Sequence, residues 1–395
     1  MRRRIAIIIE RADVALGGAE RSMSEVAAAL SEAGWDVDLL AAKGTKGAPN
    51  VCILCPDAPG TRVSLAVFEK ALKQHLARTA YDIVHSVLPF DLADVYQPRG
   101  GTYAEALLRH VASYRNRLQR WYKRATAFTN LRRGQLLQAE RRLCQGPDGP
   151  VIAALSGYVA DQLRRHYGTD NRRIRLIPNG VATDRHADPQ AAERLRLDIL
   201  RRLALPKQEN PLLLLFAAHN FRLKGLEALI RALQIARQKA TERPPCLIVV
   251  GAGKIAPYRR LAQRLGVAQH IVFLGPSQSV QDVLAISHVA VLPTFYDPSS
   301  RFILEALAAS KPVITTRFNG ATDHFVDGRH GRVVETPENT QALAEAIAHF
   351  TTSENITRAT QAILADSLKE KISVRRVAGE LDRLYQSLLD EKRRL

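Results

Sequence analysis

An α/β fold of two Rossmann-like domains in series is predicted by three features of this chain. They are its length, an alternation of short apolar runs with longer amphipathic segments, and a restart of that alternation halfway along. At 395 residues the chain is too long for one ordinary core and suits two domains of about 150 to 200 residues each. Charged residues make up 24% and apolar residues 46%, which suits a globular protein and excludes a disordered or fibrous one.

The elements follow in order. After the basic start "MRRR", the apolar run from Ile5 to Ile9 stops at Glu10, too short for a signal-peptide core, so "RIAIIIE" reads as a first buried strand. "GGAERSMSEVAAALSEAG" reads as a helix and "DVDLLAA" as the next strand; "DIVHSV", "PVIAALS" and "IRLIPNG" continue the series. This is the alternation of a parallel sheet covered by helices, and it defines a first domain over 1–183. The Arg/Leu-rich stretch 184–206 reads as a linker. The pattern restarts over 207–372 with five strands, "LLLLFAA", "CLIVVGAG", "HIVFLG", "VAVLPT" and "PVITT". Two such domains are expected to face a central cleft. The amphipathic stretch 373–395, "SVRRVAGELDRLYQSLLDEKRRL", has a basic end and no glycine stop, and is expected to cross back to the first domain.

The longest apolar stretch, "PLLLLFAA", falls well short of the ~18 residues a spanning helix needs, so a cytoplasmic or membrane-face location is expected. Four cysteines are too few for a disulfide framework. Cys52 and Cys55 form a C-x-x-C without the second pair a zinc ribbon needs, and read as reduced residues on or beside a short strand. The formal charge of +18 predicts an acidic partner, whether an anionic membrane, nucleic acid or a phosphorylated substrate.

Chemistry concentrates where strands end. In "YDPSSRFILEAL", Asp297 reads as a helix N-cap with Pro298 at the first helical position. Backbone amides around Ser299, Ser300, Arg301 and Phe302 then offer a phosphate site. Glu305 falls about 12 Å along the helix axis, where a carboxylate accepts hydrogen bonds from ribose hydroxyls. The plainer alternative makes Asp297 a cap and Glu305 a surface acid. In "AAHNFRLKGLEALIRAL", Arg222 and Lys224 sit in the turn before a helix and suit a diphosphate, Gly225 permits the turn, and His219 is a further donor contact. Gly251 in "VVGAGK" and Gly275 in "FLGPSQ" are glycine exits from neighbouring strands, and Gly17 and Gly18 in "LGGAERSM" offer close approach to a ligand in the first domain.

The stretch from Thr102, read as a helix, gathers Tyr103, Leu107, Val111, Tyr114, Leu118, Trp121 and Tyr122 within an arc of about 100°. Arg109, Arg115, Arg117, Arg120, Lys123 and Arg124 lie outside that arc. The pattern alone leaves two readings open, packing on the first domain or lying in a membrane interface.

These residues carry a resemblance. The chain resembles the retaining GT-B glycosyltransferases of family 4, most of all the bacterial lipopolysaccharide core α-glucosyltransferases. "DPSSRFILEALAASKPVITT" matches that family's acid-x7-Glu motif, "FRLKG" its phosphate-gripping loop and "GGAER" its first-domain glycine loop. "LADVYQPRGGTYAEAL", "IRLIPNGVATDRH" and the last helix follow in the same order. The resemblance implies that Asp297 holds the donor sugar's hydroxyls, Glu305 binds ribose, and Arg222 and Lys224 neutralise the leaving diphosphate, with Gly17 and Gly18 contacting it from the other side. By analogy Arg99, Gly100 and Gly101 face the acceptor, and the basic segment carrying Tyr103, Leu107, Arg109, Arg115, Arg117, Trp121, Lys123 and Arg124 contacts the membrane. Three positions depart from the pattern. Aspartate replaces the usual first glutamate at 297, Leu223 separates a basic pair that is otherwise adjacent, and Ser22 stands where those enzymes carry an acid.

The function implied is transfer of a hexose, glucose in the first instance, from a UDP-sugar to a lipid-linked saccharide such as lipopolysaccharide core. Retention by front-side attack, no divalent metal or other cofactor, and a peripheral position on the inner face of the cytoplasmic membrane go with it. The enzyme alternative is a family 4 transferase with another nucleotide sugar or a non-lipid acceptor. From a different class, +18 would suit a nucleic-acid-binding protein, but no zinc-finger or RNA-binding signature accompanies the charge and no nucleic acid is expected.

Overall fold

The computed structural model describes residues 3–13, 18–45, 50–60, 62–126, 130–203, 205–206, 210–240, 242–276 and 279–394. The chain divides into two compact units, the first made of Met1–Val111, Asn116–Ala182 and Ser373–Leu395, the second of Ala112–Arg115 and Thr183–Ile372.

The first unit runs β1 (Arg4–Ala12), α1 (Gly18–Glu32), β2 (Asp36–Gly44), β3 (Val51–Ile53), α2 (Leu65–Leu76), β4 (Ile83–Ser86) and β5 (Val95–Tyr96). It continues with α3 (Tyr103–Ala112), whose last residue is counted with the second unit, α4 (Arg117–Ala125), α5 (Leu131–Gln145), β6 (Val151–Ala154), α6 (Gly157–Tyr167) and β7 (Ile174–Leu176). Among the described residues these strands form one parallel sheet in the order β3-β2-β1-β4-β5-β6-β7. Alternation along β1 feeds both faces. Ile5, Ile7 and Ile9 pack with Trp35 and with Met23, Val26 and Leu30 of α1, while Ala6 and Ile8 join Phe68 and Leu72 of α2 and Phe90.

The second unit opens with α7 (Pro189–Leu203), then β8 (Leu212–Ala217), α8 (Leu226–Gln238), β9 (Pro245–Val250), α9 (Ala256–Arg264), β10 (Ile271–Gly275), α10 (Val280–Ile286), β11 (Val289–Leu292) and α11 (Arg301–Ala308). It closes with β12 (Val313–Thr316), β13 (Gly331–Val334), α12 (Thr340–His349), α13 (Ser353–Ala365) and α14 (Leu368–Lys371). Its sheet, also parallel, runs β10-β9-β8-β11-β12-β13 among the described residues. The last helix, α15 (Val374–Arg394), belongs to the first unit, where Val377, Leu381 and Tyr385 enter the core beside α1. Trp35 Nε1 donates to Asp382 at 2.8 Å, and Arg376 donates to the carbonyls of Pro178 at 2.5 Å and Asn179 at 3.1 Å. The expected crossing of 373–395 back to the first domain is thus made by an apolar face with polar ties on its flank.

Differences from the sequence reading are local. The stretch 184–206, expected as a linker, holds α7, which buries Ile199 and Leu203. The second sheet has a sixth strand, β13, where Gly331 lets the backbone close on β12; a Cβ there would come within 3.0 Å of the Val313 carbonyl carbon. Strands of four and two residues, like β13 and β5, are too short to show alternation. Cys52 lies in β3 and Cys55 two residues beyond it, and none of the four cysteines is in a disulfide. Asp36-Val37-Asp38 is an Asp-x-Asp that the no-metal expectation passed over. It starts β2, and both acids pair with Arg4, Asp36 at 3.3 Å and Asp38 at 2.9 Å, while Tyr81 donates to Asp38 at 2.8 Å.

Candidate functional site

In an open parallel sheet, ligands collect beyond the carboxyl ends of the strands where the strand order reverses. In the second unit that point lies between β8 and β11, which are neighbours in the sheet though far apart in sequence. The loop after β8 carries His219, Arg222 and Lys224; the loop after β11 carries Asp297 and leads to α11. The two motifs singled out in the sequence therefore meet at one spot.

Their meeting is built by backbone. Gly225, at φ +81°, precedes α8, and a Cβ there would lie 2.9 Å from the Pro293 carbonyl carbon and closer still to its oxygen. Phe295 N donates to Leu223 O at 2.9 Å, and Lys224 Nζ donates to Tyr296 O at 2.9 Å and to Asp297 Oδ2 at 2.6 Å. Lys224 and Asp297 are only 20% and 14% exposed, so this pair is little screened by water. Asp297 is held in turn by Asp297 N to Phe318 O and Gly320 N to Asp297 O, both 2.9 Å.

Asp297 is not the N-cap expected of it. Helix α11 starts at Arg301, and Ser300 caps it, accepting from Ile303 N. The expected row of available amides is shortened as well. Ser299 N donates to Asp297 Oδ1 at 3.2 Å and Ser300 N donates to Asn319 Oδ1 at 3.1 Å, so a turn ahead of the helix uses them. With the later start, Glu305 lies one turn into the helix, not two, and Arg301 approaches it at 3.4 Å with both side chains largely buried. Asn319 was missed. It is fully buried, accepts from Ser300 N and Ala321 N, and donates to Thr315 Oγ1 at 2.9 Å; the turn dipeptide Asn319-Gly320 after a strand was its signal.

Of the other two glycine exits of this sheet, only Gly251 has a packing reason. Gly251, at φ +139°, would put a Cβ 3.0 Å from the Ala218 carbonyl carbon, and its N–H donates to Gly275 O at 2.8 Å. Gly275, at φ +79°, has open space around it, and His219 is exposed in the loop after β8. Leu223 sends the two cations of the loop apart. Lys224 turns to Asp297, whereas the Arg222 guanidinium lies over the Tyr114 ring, 3.6 Å from its centroid, and donates to Ser113 Oγ. No signal in the sequence pointed to Tyr114 as its neighbour, because that pairing spans more than a hundred residues.

In the first unit, Gly18 is the first residue of α1, while Gly17 lies outside the described residues. Arg99 is a buried hub that donates to Gln97 Oε1 at 3.1 Å, Asn179 Oδ1 at 2.9 Å and Ser22 Oγ. Gly100 is exposed, and Gly101, at φ +67°, is buried after the turn from Pro98. Beside Arg99, His85 is wholly buried, its Nδ1 2.5 Å from Tyr385 Oη; burial and then the Arg99 charge hold its pKa down to about 3.

The basic stretch is two helices, not one. The chain breaks at Ser113–Asn116, and Asn116 caps α4 by accepting from Leu118 N at 2.8 Å. On α3, Tyr103 packs against the core cluster beside Phe68, Leu107 is half-buried, and Arg109 is tied to buried Glu105 at 2.7 Å. Arg115 pairs with Glu227 at 3.3 Å. On α4 no residue is buried: Leu118, Trp121 and Tyr122 are 76%, 71% and 57% exposed, among exposed Arg117, Lys123 and Arg124. Packing thus claims the first half of the expected arc, and the second half is open.

Residues 16–185 match the family model "Glycosyltransferase Family 4", and residues 210–353 match "Glycosyl transferases group 1". The chain is 26% identical over 203 residues to lipopolysaccharide glucosyltransferase WaaG of Escherichia coli K12, covering 51% of this chain and 53% of that protein. It is 31% identical over 196 residues to a D-inositol 3-phosphate glycosyltransferase of Streptomyces avermitilis, covering 47% and 40%. The matched span is about half the length of these curated relatives. Among solved structures, the WaaG crystal structure superposes with a TM-score of 0.73 at 21% identity over 96% of this chain and 99% of that one. A sucrose-phosphate synthase from Thermosynechococcus elongatus gives 0.76 at 19% over 99% and 100%; both matches speak to the fold alone.

Proposed function

Because the chain belongs to the family 4 glycosyltransferases and has their GT-B fold, we propose that it moves a hexose from a UDP-sugar to a lipid-linked saccharide, with retention at the anomeric carbon. The observation that carries the reading is the Lys224–Asp297 pair at the strand-order reversal, with Glu305 one turn inside the adjoining helix. In this reading Glu305 accepts from the ribose hydroxyls, and Lys224, Arg222 and the mouth of α11 from Arg301 onward hold the diphosphate. Asp297 takes the sugar's hydroxyls beside the reacting carbon.

Breaking the sugar–phosphate bond builds negative charge on the leaving diphosphate and positive charge on the sugar. Cations held in place before the reaction favour that separation without reorganising during it. Lys224 is oriented by Asp297 and the Tyr296 carbonyl, so its charge is already directed when the donor arrives. The acceptor hydroxyl then attacks from the face the diphosphate leaves, its O–H proton passing to the departing phosphate oxygen as the sugar–phosphate bond breaks. The nucleotide sugar is a co-substrate and no metal is required.

Glucose as the sugar and lipopolysaccharide core as the acceptor are supported by the likeness to WaaG, and a lipid-linked acceptor by α4, whose exposed Leu118, Trp121 and Tyr122 among cations suit an anionic membrane face. Among the described residues no helix is long and apolar enough to cross a membrane.

The test is the thermal shift of the purified protein with UDP, GDP, ADP and dTDP and their sugars in the presence of EDTA. UDP is expected to raise the melting temperature, and Glu305→Ala to weaken its binding roughly 10- to 100-fold, the worth of a hydrogen bond to a charged group. A protein that responds to none of these nucleotides refutes the reading and returns the nucleic-acid alternative.

A further inference from the structure

The split of Arg222 from Lys224 gives each cation its own support. Lys224 has a carboxylate; Arg222 has an aromatic ring from Ala112–Arg115, the segment between α3 and α4 that belongs to the second unit. That segment meets the loop after β8 at two points and helix α8 at a third. The Arg222 guanidinium lies over Tyr114, Arg222 donates to Ser113 Oγ, and Arg115 pairs with Glu227 of α8 at 3.3 Å. Glu227 is itself tied to Arg231 at 3.0 Å, so the segment is anchored to the helix that the loop opens.

We propose that Tyr114 is a positioning residue for Arg222, and through it for the diphosphate of the donor. A guanidinium laid on a ring keeps its N–H fork in its own plane, so stacking fixes the direction of the donors without consuming them. An unsupported arginine would lose several rotatable bonds of freedom on gripping a phosphate; a stacked one has lost them beforehand. Ser113 adds direction within the plane by taking one N–H. The supporting element is not part of the sheet edge that carries the rest of the site, which is why one residue at 114 controls one cation of the pair and leaves the Lys224–Asp297 contact alone.

This inference rests on the diphosphate reading of the site, and the experiment separates the two. UDP affinity is measured calorimetrically for the wild type, Tyr114→Ala, Tyr114→Phe, Arg222→Ala and the double variant Tyr114→Ala/Arg222→Ala, with uridine as the probe lacking phosphates. Tyr114→Ala is expected to weaken UDP about 3- to 30-fold, the range of a partly desolvated cation–ring contact, and to leave uridine unchanged. Tyr114→Phe should restore wild-type affinity, because the ring alone supports the guanidinium, and in the Arg222→Ala background the tyrosine should no longer matter. Wild-type UDP affinity in Tyr114→Ala overturns the positioning role while leaving the donor site standing. So does a loss that Phe does not rescue, or one that persists without Arg222. A wild type that binds no UDP removes the donor site and this inference together.

Discussion

Alanine at position 225 should destabilise the second unit by about 3 kcal/mol, and the figure follows from two separable contributions. A left-handed backbone, here φ +81°, costs an L-residue about 1–2 kcal/mol. The remainder is steric: the new Cβ would sit 2.9 Å from the Pro293 carbonyl carbon, closer to its oxygen, and 3.2 Å from Pro293 Cγ. Relief requires the loops after β8 and β11 to part, which strains the Phe295 N to Leu223 O bond at 2.9 Å and the Lys224 contacts. Losing one or two such bonds costs about 1 kcal/mol each. Gly275→Ala supplies the control, since its φ of +79° is nearly the same and nothing lies within 4 Å of its Cβ, so it should show the backbone cost alone. Urea denaturation of the two variants should therefore differ by about 1–2 kcal/mol, with Gly225→Ala melting about 6 to 12 °C below the wild type. Gly225→Ala should also bind UDP more weakly, because Lys224 moves with the loop. Equal destabilisation of the two variants would refute the claim that close approach to Pro293 makes position 225 a glycine.

Two further outcomes are expected. His85 has a folded pKa of about 3, below its unfolded value near 6.5, so it is neutral in both states above pH 6.5; as pH falls from there toward 3, only the unfolded chain takes up the proton. Stability should thus drop by up to about 1.4 kcal/mol per pH unit from this group, and His85→Phe should gain on the wild type across that window. A stability difference that stays constant from pH 7 to 4.5 contradicts this. For α4, replacing Arg117, Lys123 and Arg124 by glutamine should weaken binding to phosphatidylglycerol-containing vesicles about 100-fold at low salt, from about 1 kcal/mol per charge. Cosedimentation unchanged by the triple replacement would assign that surface to something other than a membrane.

How far the site could be read in advance varied with the range of the interactions involved. That Lys224 and Asp297 would lie in loops after strands, with Glu305 on the helix that follows, was legible because each belongs to a motif of a few residues. The helix start at Arg301, capped by Ser300, was not. Asp-Pro is a strong local start signal, but Asn319, nineteen residues on, takes the Ser300 amide and Ser299 turns back on Asp297, so the chain spends those donors before the helix begins. The arc from Tyr103 to Tyr122 failed for a similar reason. Helical periodicity assumes an unbroken axis, and the break at Ser113–Asn116 sends Tyr114 to Arg222 and α4 into solvent.

By itself the sequence determined the alternation of buried strands and amphipathic helices, the two-domain plan and the return of the last helix. These rest on hydrophobic patterning, which is local and repeats every two or 3.6 residues. Only the tertiary structure decided the strand order, and with it the adjacency of β8 and β11 that brings Lys224 to Asp297. It alone decided which cation meets which support, and which half of a basic, aromatic stretch is core and which is surface. Those outcomes depend on contacts between residues far apart in the chain, where the cost of closing the loop is met by packing that no short window of sequence contains.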